Sequence, residues 1–194
     1  LSSSSAASDV YKRQSGSPDS FNILVLKDLS AGTVFYINDN EIATDGGASF
    51  TDLAEGEASF TVKQGQTIAA GTVINLPWGG AAVSTTSYDY SSTSSFGLGN
   101  NNEEIYIYTA SGITATTPTK FICAARIGTS TSSRPTGLTT GTTFITPTGA
   151  AARYKTSGAT YTGTAAELLS AIGNTASNWE TSAPVSYTHL TLPT

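Results

Sequence analysis

Short β-prone runs broken by Gly, Asn, Asp and Ser recur along most of this chain, and that rhythm limits what it can fold into. Phe21 to Leu26, Thr33 to Ile37, Phe60 to Lys63 and Thr72 to Leu76 each read as a strand. Phe96 to Leu98, Ile105 to Thr109 and Phe121 to Ala125 continue the series, with weaker runs near Phe144 and Tyr154. Many short strands at even spacing, each closed by turn residues, are the pattern of an antiparallel sandwich or barrel. Glu104-Ile105-Tyr106-Ile107-Tyr108 alternates cleanly, with isoleucines on one face and tyrosines on the other.

The two ends of the chain belong to a different kind of sequence. Residues 4–14, Ser-Ser-Ala-Ala-Ser-Asp-Val-Tyr-Lys-Arg-Gln, can be encoded by a DNA string whose reverse complement translates as Val-Ser-Tyr-Thr-His-Leu-Thr-Leu-Pro-Thr, residues 185–194. No folding principle makes two termini complementary, whereas an adapter ligated to both ends of an insert does. Residues 1–14 and 185–194 are therefore expected to be adapter-derived tails that stay outside the core. Residues 15–184 are expected to form a single β-sandwich domain, open at both ends as a fragment.

Setting those tails aside changes the available chemistry. The sole histidine, His189, drops out with the trailing segment. Without Lys12, Arg13 and Asp9, seven basic residues face thirteen acidic ones, a formal net charge of −6. About 170 residues suit one domain with a sizeable core. Lys27, Lys63, Arg126 and Arg134 are scattered rather than clustered, so the footprint for phosphate backbones is missing and nucleic acid is not an expected partner. No apolar stretch approaches the roughly eighteen residues of a membrane span. The lone Cys123, within Phe121-Ile122-Cys123-Ala124-Ala125, cannot close an intramolecular disulfide and reads as a small buried residue. Abundant Ser, Thr, Gly and Ala with little charge is typical of extracellular or cell-surface proteins, which sets the expected location.

One internal echo recurs at a spacing of 39 residues: Leu29-Ser30-Ala31-Gly32-Thr33-Val34 and Ile68-Ala69-Ala70-Gly71-Thr72-Val73. Each copy reads as an inward apolar residue, an Ala-Gly turn and a strand opened by Thr-Val, matched units in the two halves of a sandwich. Near the end, Thr164-Ala165-Ala166-Glu167 has the form of a capping box. Leu168, Leu169 and Ile172 supply an apolar face and Gly173-Asn174 a stop, predicting a short helix over 164–173. Trp179 is expected to pack against the sandwich or this helix. Ser84 to Ser95 and Thr129 to Thr143 read as long mobile loops.

Residues spread along the insert carry a family resemblance. They are Asp19-Ser20-Phe21, Leu26 to Thr33, the Asn38-Asp39-Asn40 corner, Gly56-Glu57 and Ala70 to Ile74. Ser95-Phe96, Glu104-Ile105-Tyr106, Pro118 to Ile122, Pro135 to Leu138, Tyr161-Thr162-Gly163, Leu168-Leu169 and Asn178-Trp179 continue it. In this order they resemble a lamin-tail-like or immunoglobulin-like all-β module of unassigned function, found in large secreted or surface bacterial-type multidomain proteins. The resemblance implies a sandwich and brings no catalytic residues. The chain departs from the pattern after the corner: Glu41-Ile42-Ala43 stands where the family has a glycine-tryptophan pair.

Four acidic clusters could hold something. Asp39, Asn40 and Glu41 with Asp45 crowd carboxylates and amides on one loop, the oxygen ligands that Ca²⁺ takes. The same residues also suit an Asx-rich turn, and their spacing does not satisfy an EF-hand. Asn100 to Glu104 fits a hairpin loop with the same two readings. Glu55 and Glu57, and Asp52 with Glu55, could act as acid and base on a glycoside only inside a cleft. A histidine-based triad and a zinc site both lack ligands in the insert, and no Ser-x-x-Lys motif occurs. Trp78, Tyr88 and Tyr90 are the aromatic candidates for a sugar platform, with a core role as the alternative for each.

The sequence therefore predicts an all-β antiparallel β-sandwich with one short C-terminal α-helix. Its expected function is that of a non-catalytic extracellular structural or interaction module with a protein or glycan partner and no resident cofactor. The alternatives are a calcium-dependent carbohydrate-binding module and, more remotely, an acid-pair hydrolase.

Overall fold

A computed structural model describes residues 20–43, 46–51, 53–77, 79–93, 103–127, 133–147, 153–154 and 163–180. Both expected tails lie outside these residues. The strands are β1 (Ser20–Leu24), β2 (Val34–Asn38), β3 (Glu57–Val62), β4 (Val73–Pro77), β5 (Ala82–Ser84) and β6 (Tyr88–Ser92). After them come β7 (Glu103–Thr109), β8 (Lys120–Ile127), β9 (Phe144–Ile145) and β10 (Arg153–Tyr154). Helices α1 (Ala165–Gly173) and α2 (Thr175–Asn178) and strand β11 (Trp179–Glu180) complete the order. The fold is all-β and sandwich-like, as the strand rhythm predicts.

One sheet has the order β5-β6-β3-β2-β7-β8-β9; β1 with β4, and β10 with β11, form two-stranded ribbons. Pairing is antiparallel except between β8 and β9, which run parallel. That exception departs from the expected all-antiparallel sandwich, because the chain returns through residues 133–143 before adding β9.

Alternation along the strands sorts the side chains into two cores. Phe35 and Ile37 of β2, Ala58, Phe60 and Val62 of β3, and Ile105 and Ile107 of β7 share one face of the large sheet. They pack with Phe21, Ile23, Ile74 and Leu76 of the β1–β4 ribbon. Ile172 of α1 and Trp179 join the same cluster, so the second layer of the sandwich is part strand and part helix. Fully burying each such side chain stabilises the fold by roughly 1.5–3 kcal/mol. The opposite face carries a second core of Ile42, Phe50, Tyr106, Tyr108, Phe121, Ala124, Leu138 and Phe144. A bulge in β8 aligns this layer: Ile107 faces Cys123 while Tyr108 faces Phe121, leaving Ile122 as the extra residue.

The echoed segments meet each other. Leu29 and Ile68 form a two-way bridge, with Leu29 N–H donating to Ile68 O at 2.9 Å and Ile68 N–H to Leu29 O at 3.0 Å. Around this bridge the bonds repeat: Gly32 N–H reaches Val62 O at 3.0 Å, and Gly71 N–H reaches Val25 O at 2.7 Å. Gly32 (φ 76°) and Gly71 (φ 88°) occupy the left-handed region, where a Cβ would be strained. One copy leads into β2 of the large sheet and the other into β4 of the ribbon, so the pair crosses between the two layers.

The capping box at α1 forms as predicted: the Thr164 side chain accepts from Glu167 N–H, and the Glu167 carboxylate accepts from Thr164 N–H at 2.7 Å. Those bonds hold the Glu167 carboxyl below its usual range. Asn174 ends the helix, and its side chain then accepts from Ser177 N–H to open the short α2. Trp179 is buried and donates from its indole Nε1 to Ile172 O at 2.7 Å, tying β11 back to α1.

Candidate functional site

The expected mobile loop from Ser84 to Ser95 is, over its described part, the turn and second strand of a β-hairpin. Ser84 ends β5 and Tyr88 to Ser92 form β6, paired to β3 with Phe60 opposite Tyr90. Ser and Thr disguised this hairpin because its outward residues need not be apolar. Pairing with β3 determines the fate of both tyrosine candidates. Tyr90 is 2% exposed, sits in the main core and donates its hydroxyl to Pro77 O at 2.7 Å. Burial, reinforced by the nearby Asp39 charge, pushes its phenol well above the usual range. It offers no face to a sugar. Tyr88 is half-buried and stacks on Phe60, ring centroids 4.8 Å apart, with its phenol also raised by burial. Trp78 lies outside the described residues.

The corner proposed for calcium is mostly interior. Asn38, Asp39 and Asn40 are buried, Glu41 is exposed, and Asp45 lies outside the described residues. The two asparagines use their amides on the chain itself. Asn38 Oδ1 accepts from both the backbone N–H and the Nδ2 of Asn40, the latter at 3.0 Å. Asn40 Nδ2 also donates to Gly56 O at 3.2 Å, and its Oδ1 accepts from Glu55 N–H at 2.8 Å. Asn40 thus clasps the far end of the 41–55 excursion against the end of β2. Between those ends, Ile42 and Phe50 pair and Thr51 N–H reaches Glu41 O at 2.9 Å. Among the described residues, no group of three or more His, Cys, Asp or Glu is placed to hold a metal ion.

Phe50 shows why the excursion is pinned. Its ring meets Tyr106, Tyr108 and Phe121 edge-on, at centroid distances of 5.5, 5.1 and 5.7 Å. Such pairs each add about 0.5–1.5 kcal/mol beyond area burial. The same loop docks sideways: Thr136 N–H donates to Gly47 O at 2.8 Å and Thr136 Oγ1 to Gly46 O at 2.9 Å. Gly47 has φ 82°, and a Cβ there would stand 2.2 Å from Arg134 O. Gly46 has φ 90° and open space around its would-be Cβ. Gly47→Ala is therefore expected to cost about 2–4 kcal/mol, strain plus collision, and Gly46→Ala about 1–2 kcal/mol from strain alone. Urea unfolding of the two variants checks this, and equal losses would remove the collision from the explanation.

Beneath the loop, the outer face of the large sheet carries a polar row. Glu57, Asn38 and Tyr106 are register neighbours across β3, β2 and β7, and the Tyr106 hydroxyl donates to the Glu104 carboxylate. Glu57 is buried while Glu55 is exposed, so the two carboxyl groups stand in different environments. Burial raises the Glu57 carboxyl above its usual value of 4.5. An acid with a raised folded-state value contributes stability that is fully present below about pH 4.5 and lost as pH rises through the folded value. Glu57→Gln is expected to flatten that part of the stability profile and to leave the protein at least as stable at pH 7. Denaturant midpoints from pH 4 to pH 8 check the prediction, and an unchanged slope would contradict it.

A serine–lysine contact that no motif announced lies on the sheet edge. Lys63 Nζ donates to Ser84 Oγ at 2.9 Å and to Thr85 O at 2.7 Å, and Ser84 Oγ donates to Asp89 Oδ1 at 2.6 Å. Lys63 and Asp89 also pair at 3.2 Å. The Ser84 bond, then Lys63, hold the exposed Asp89 carboxyl below its usual range. Ser84 and Lys63 thus both bond the Asp89 carboxylate, tying the residue that follows β3 to the β5–β6 hairpin at the sheet edge. Cys123 is buried, as its apolar run predicts. The Asn100–Asn102 part of the second acidic cluster and Asp52 lie outside the described residues.

What the outer face assembles is a loop held by asparagine hydrogen bonds over an aromatic layer. No protein-family model, curated protein or solved structure matches the chain.

Proposed function

We propose that this chain is a non-catalytic structural and interaction module of a larger secreted or surface protein, with a protein or glycan as partner. The observation that carries this reading is the Asn40 clasp. The polar corner that could have formed a ligand site instead has its asparagine amides bonded to Asn38, Glu55 and Gly56. The exposure of Glu55 beside a buried Glu57 supports the same reading over an acid pair working in one cleft. The lamin-tail-like resemblance and the Ser/Thr/Gly-rich, weakly charged composition support an extracellular setting. Among the described residues, no helix is long and apolar enough to cross a membrane.

A glycan array run with and without EDTA, using the chain and its Trp78→Ala variant, tests the reading. No EDTA-sensitive glycan signal is expected. Binding lost both in EDTA and in Trp78→Ala would overturn it in favour of a calcium-dependent carbohydrate-binding module.

A further inference from the structure

The large sheet ends in two edges that are built differently. At β9, the 139–143 turn takes both main-chain groups of Phe144: its N–H donates to Thr139 O at 3.0 Å, and its O accepts from Gly141 N–H at 2.9 Å. Pro147 follows that strand closely. β5 has neither device. Gly80 to Thr85, Gly-Ala-Ala-Val-Ser-Thr, carries no proline and no charged side chain, the usual means of keeping an edge from pairing. Lys63, the lysine beside it, is bonded back onto its own hairpin through Ser84 and Thr85.

The hairpin's own bonds fix which groups face outward. Ser92 N–H donates to Ala81 O and Thr85 N–H to Tyr88 O, both at 2.9 Å. Because the ladder alternates, Val83 also turns its peptide groups toward β6, while Ala82 and Ser84 turn their N–H and C=O groups away from it. Both of these residues are exposed, and the Val83 side chain between them packs against the main core. This arrangement is self-complementary. A copy turned about a two-fold axis through Val83 sets Ala82 opposite Ser84 and Ser84 opposite Ala82, and each pair can exchange its N–H···O bonds. The charges agree as well. Lys63 and Asp89 are already paired within each hairpin at 3.2 Å, so the copy brings the neutral Ala82 beside them.

We propose that β5 pairs edge to edge with β5 of a second copy, antiparallel about Val83, joining two seven-stranded sheets into one. β6 and β3 separate this edge from the β2 end that carries the Asn40 corner, so the contact does not depend on whether the module binds a glycan. A three-residue edge buries far less than the roughly 1,200–2,000 Å² of a stable complex. The pairing is therefore transient, and it strengthens where many copies are held close together.

Sedimentation velocity and amide hydrogen exchange of the chain, from about micromolar to about millimolar concentration, test the proposal. The weight-average mass should rise toward that of a dimer, and the Ala82 and Ser84 amides should gain protection as it does. Ala82→Pro removes an outward N–H that the fold does not use, and Ala82→Lys sets a like charge beside the copy's Lys63. Each should abolish the rise while leaving the melting temperature in dilute solution unchanged. Should the proline variant fail to fold, the lysine variant carries the test. A chain that stays monomeric throughout overturns the proposal, leaving a strand from another protein as the occupant of the edge. A dimer that either folded variant retains overturns it too.

Discussion

Replacing Phe60 with alanine is expected to lower the unfolding free energy by about 3–5 kcal/mol, the range for deleting a fully buried aromatic ring. Phe60 lies at the centre of the main core, with Phe35 stacked on one side at 4.6 Å and Tyr88 on the other at 4.8 Å. Its cross-strand partners are Phe35 on β2 and Tyr90 on β6. Removing the ring opens a cavity that both neighbours border, and three strands of a pleated sheet cannot collapse independently to fill it. Urea unfolding of Phe60→Ala should show a lowered midpoint at unchanged slope. A double-mutant cycle with Phe35→Ala should be non-additive, because the two rings share the cavity. Losses that simply add would mean that the stack contributes nothing beyond each ring's own burial.

Asn40→Ala is expected to cost about 2–4 kcal/mol, although it removes only a small polar side chain. It leaves Glu55 N–H and Gly56 O without the amide that bonded them, and it deprives Asn38 Oδ1 of a donor. The damage should reach beyond the corner, since the clasp closes the excursion that carries Ile42 and Phe50 onto the aromatic layer. Asn40→Asp is expected to be no better: it replaces the Nδ2 donor with an oxygen facing two other oxygens, those of Asn38 and Gly56. Amide hydrogen exchange should accelerate in residues 41–51 before it does in β3. Protection unchanged along that segment would show that Phe50 holds the loop without the clasp.

Much of the architecture was legible in the residues, and the illegible parts have physical causes. The apolar alternation in β1 to β4 and in β7 and β8 sits near strands that face a core, where periodicity has to show. The capping box located α1 because Thr164 and Glu167 act within a single turn. The echo was readable as two matched turns, but not as a contact, because the Leu29–Ile68 bridge brings together residues 39 apart. β5 and β6 were hidden because Ser84, Asp89 and Ser91 lie on a polar face or edge, and of their residues Tyr90 is fully buried while Val83 and Tyr88 are only partly so. The second core was half visible. Tyr106 and Tyr108 marked a separate face in the alternation, yet nothing local says that Phe50 will cover them. The Asn38–Asn40 corner was found as a polar cluster and weighed as a calcium loop. Its role depends on Glu55 and Gly56 returning beside it, a tertiary fact that spacing does not encode.

The central claim is that the corner is a structural clasp and not a metal site, and thermal unfolding of the parent chain and Asn40→Ala in EDTA and in millimolar calcium tests it most directly. A ligand that binds only the folded state at a hundred times its dissociation constant adds about 2.7 kcal/mol, a shift of several degrees for a domain of this size. The account predicts that calcium moves neither melting temperature and that Asn40→Ala melts lower by the same margin in both buffers. A calcium-dependent rise in the parent chain that disappears in Asn40→Ala would contradict it.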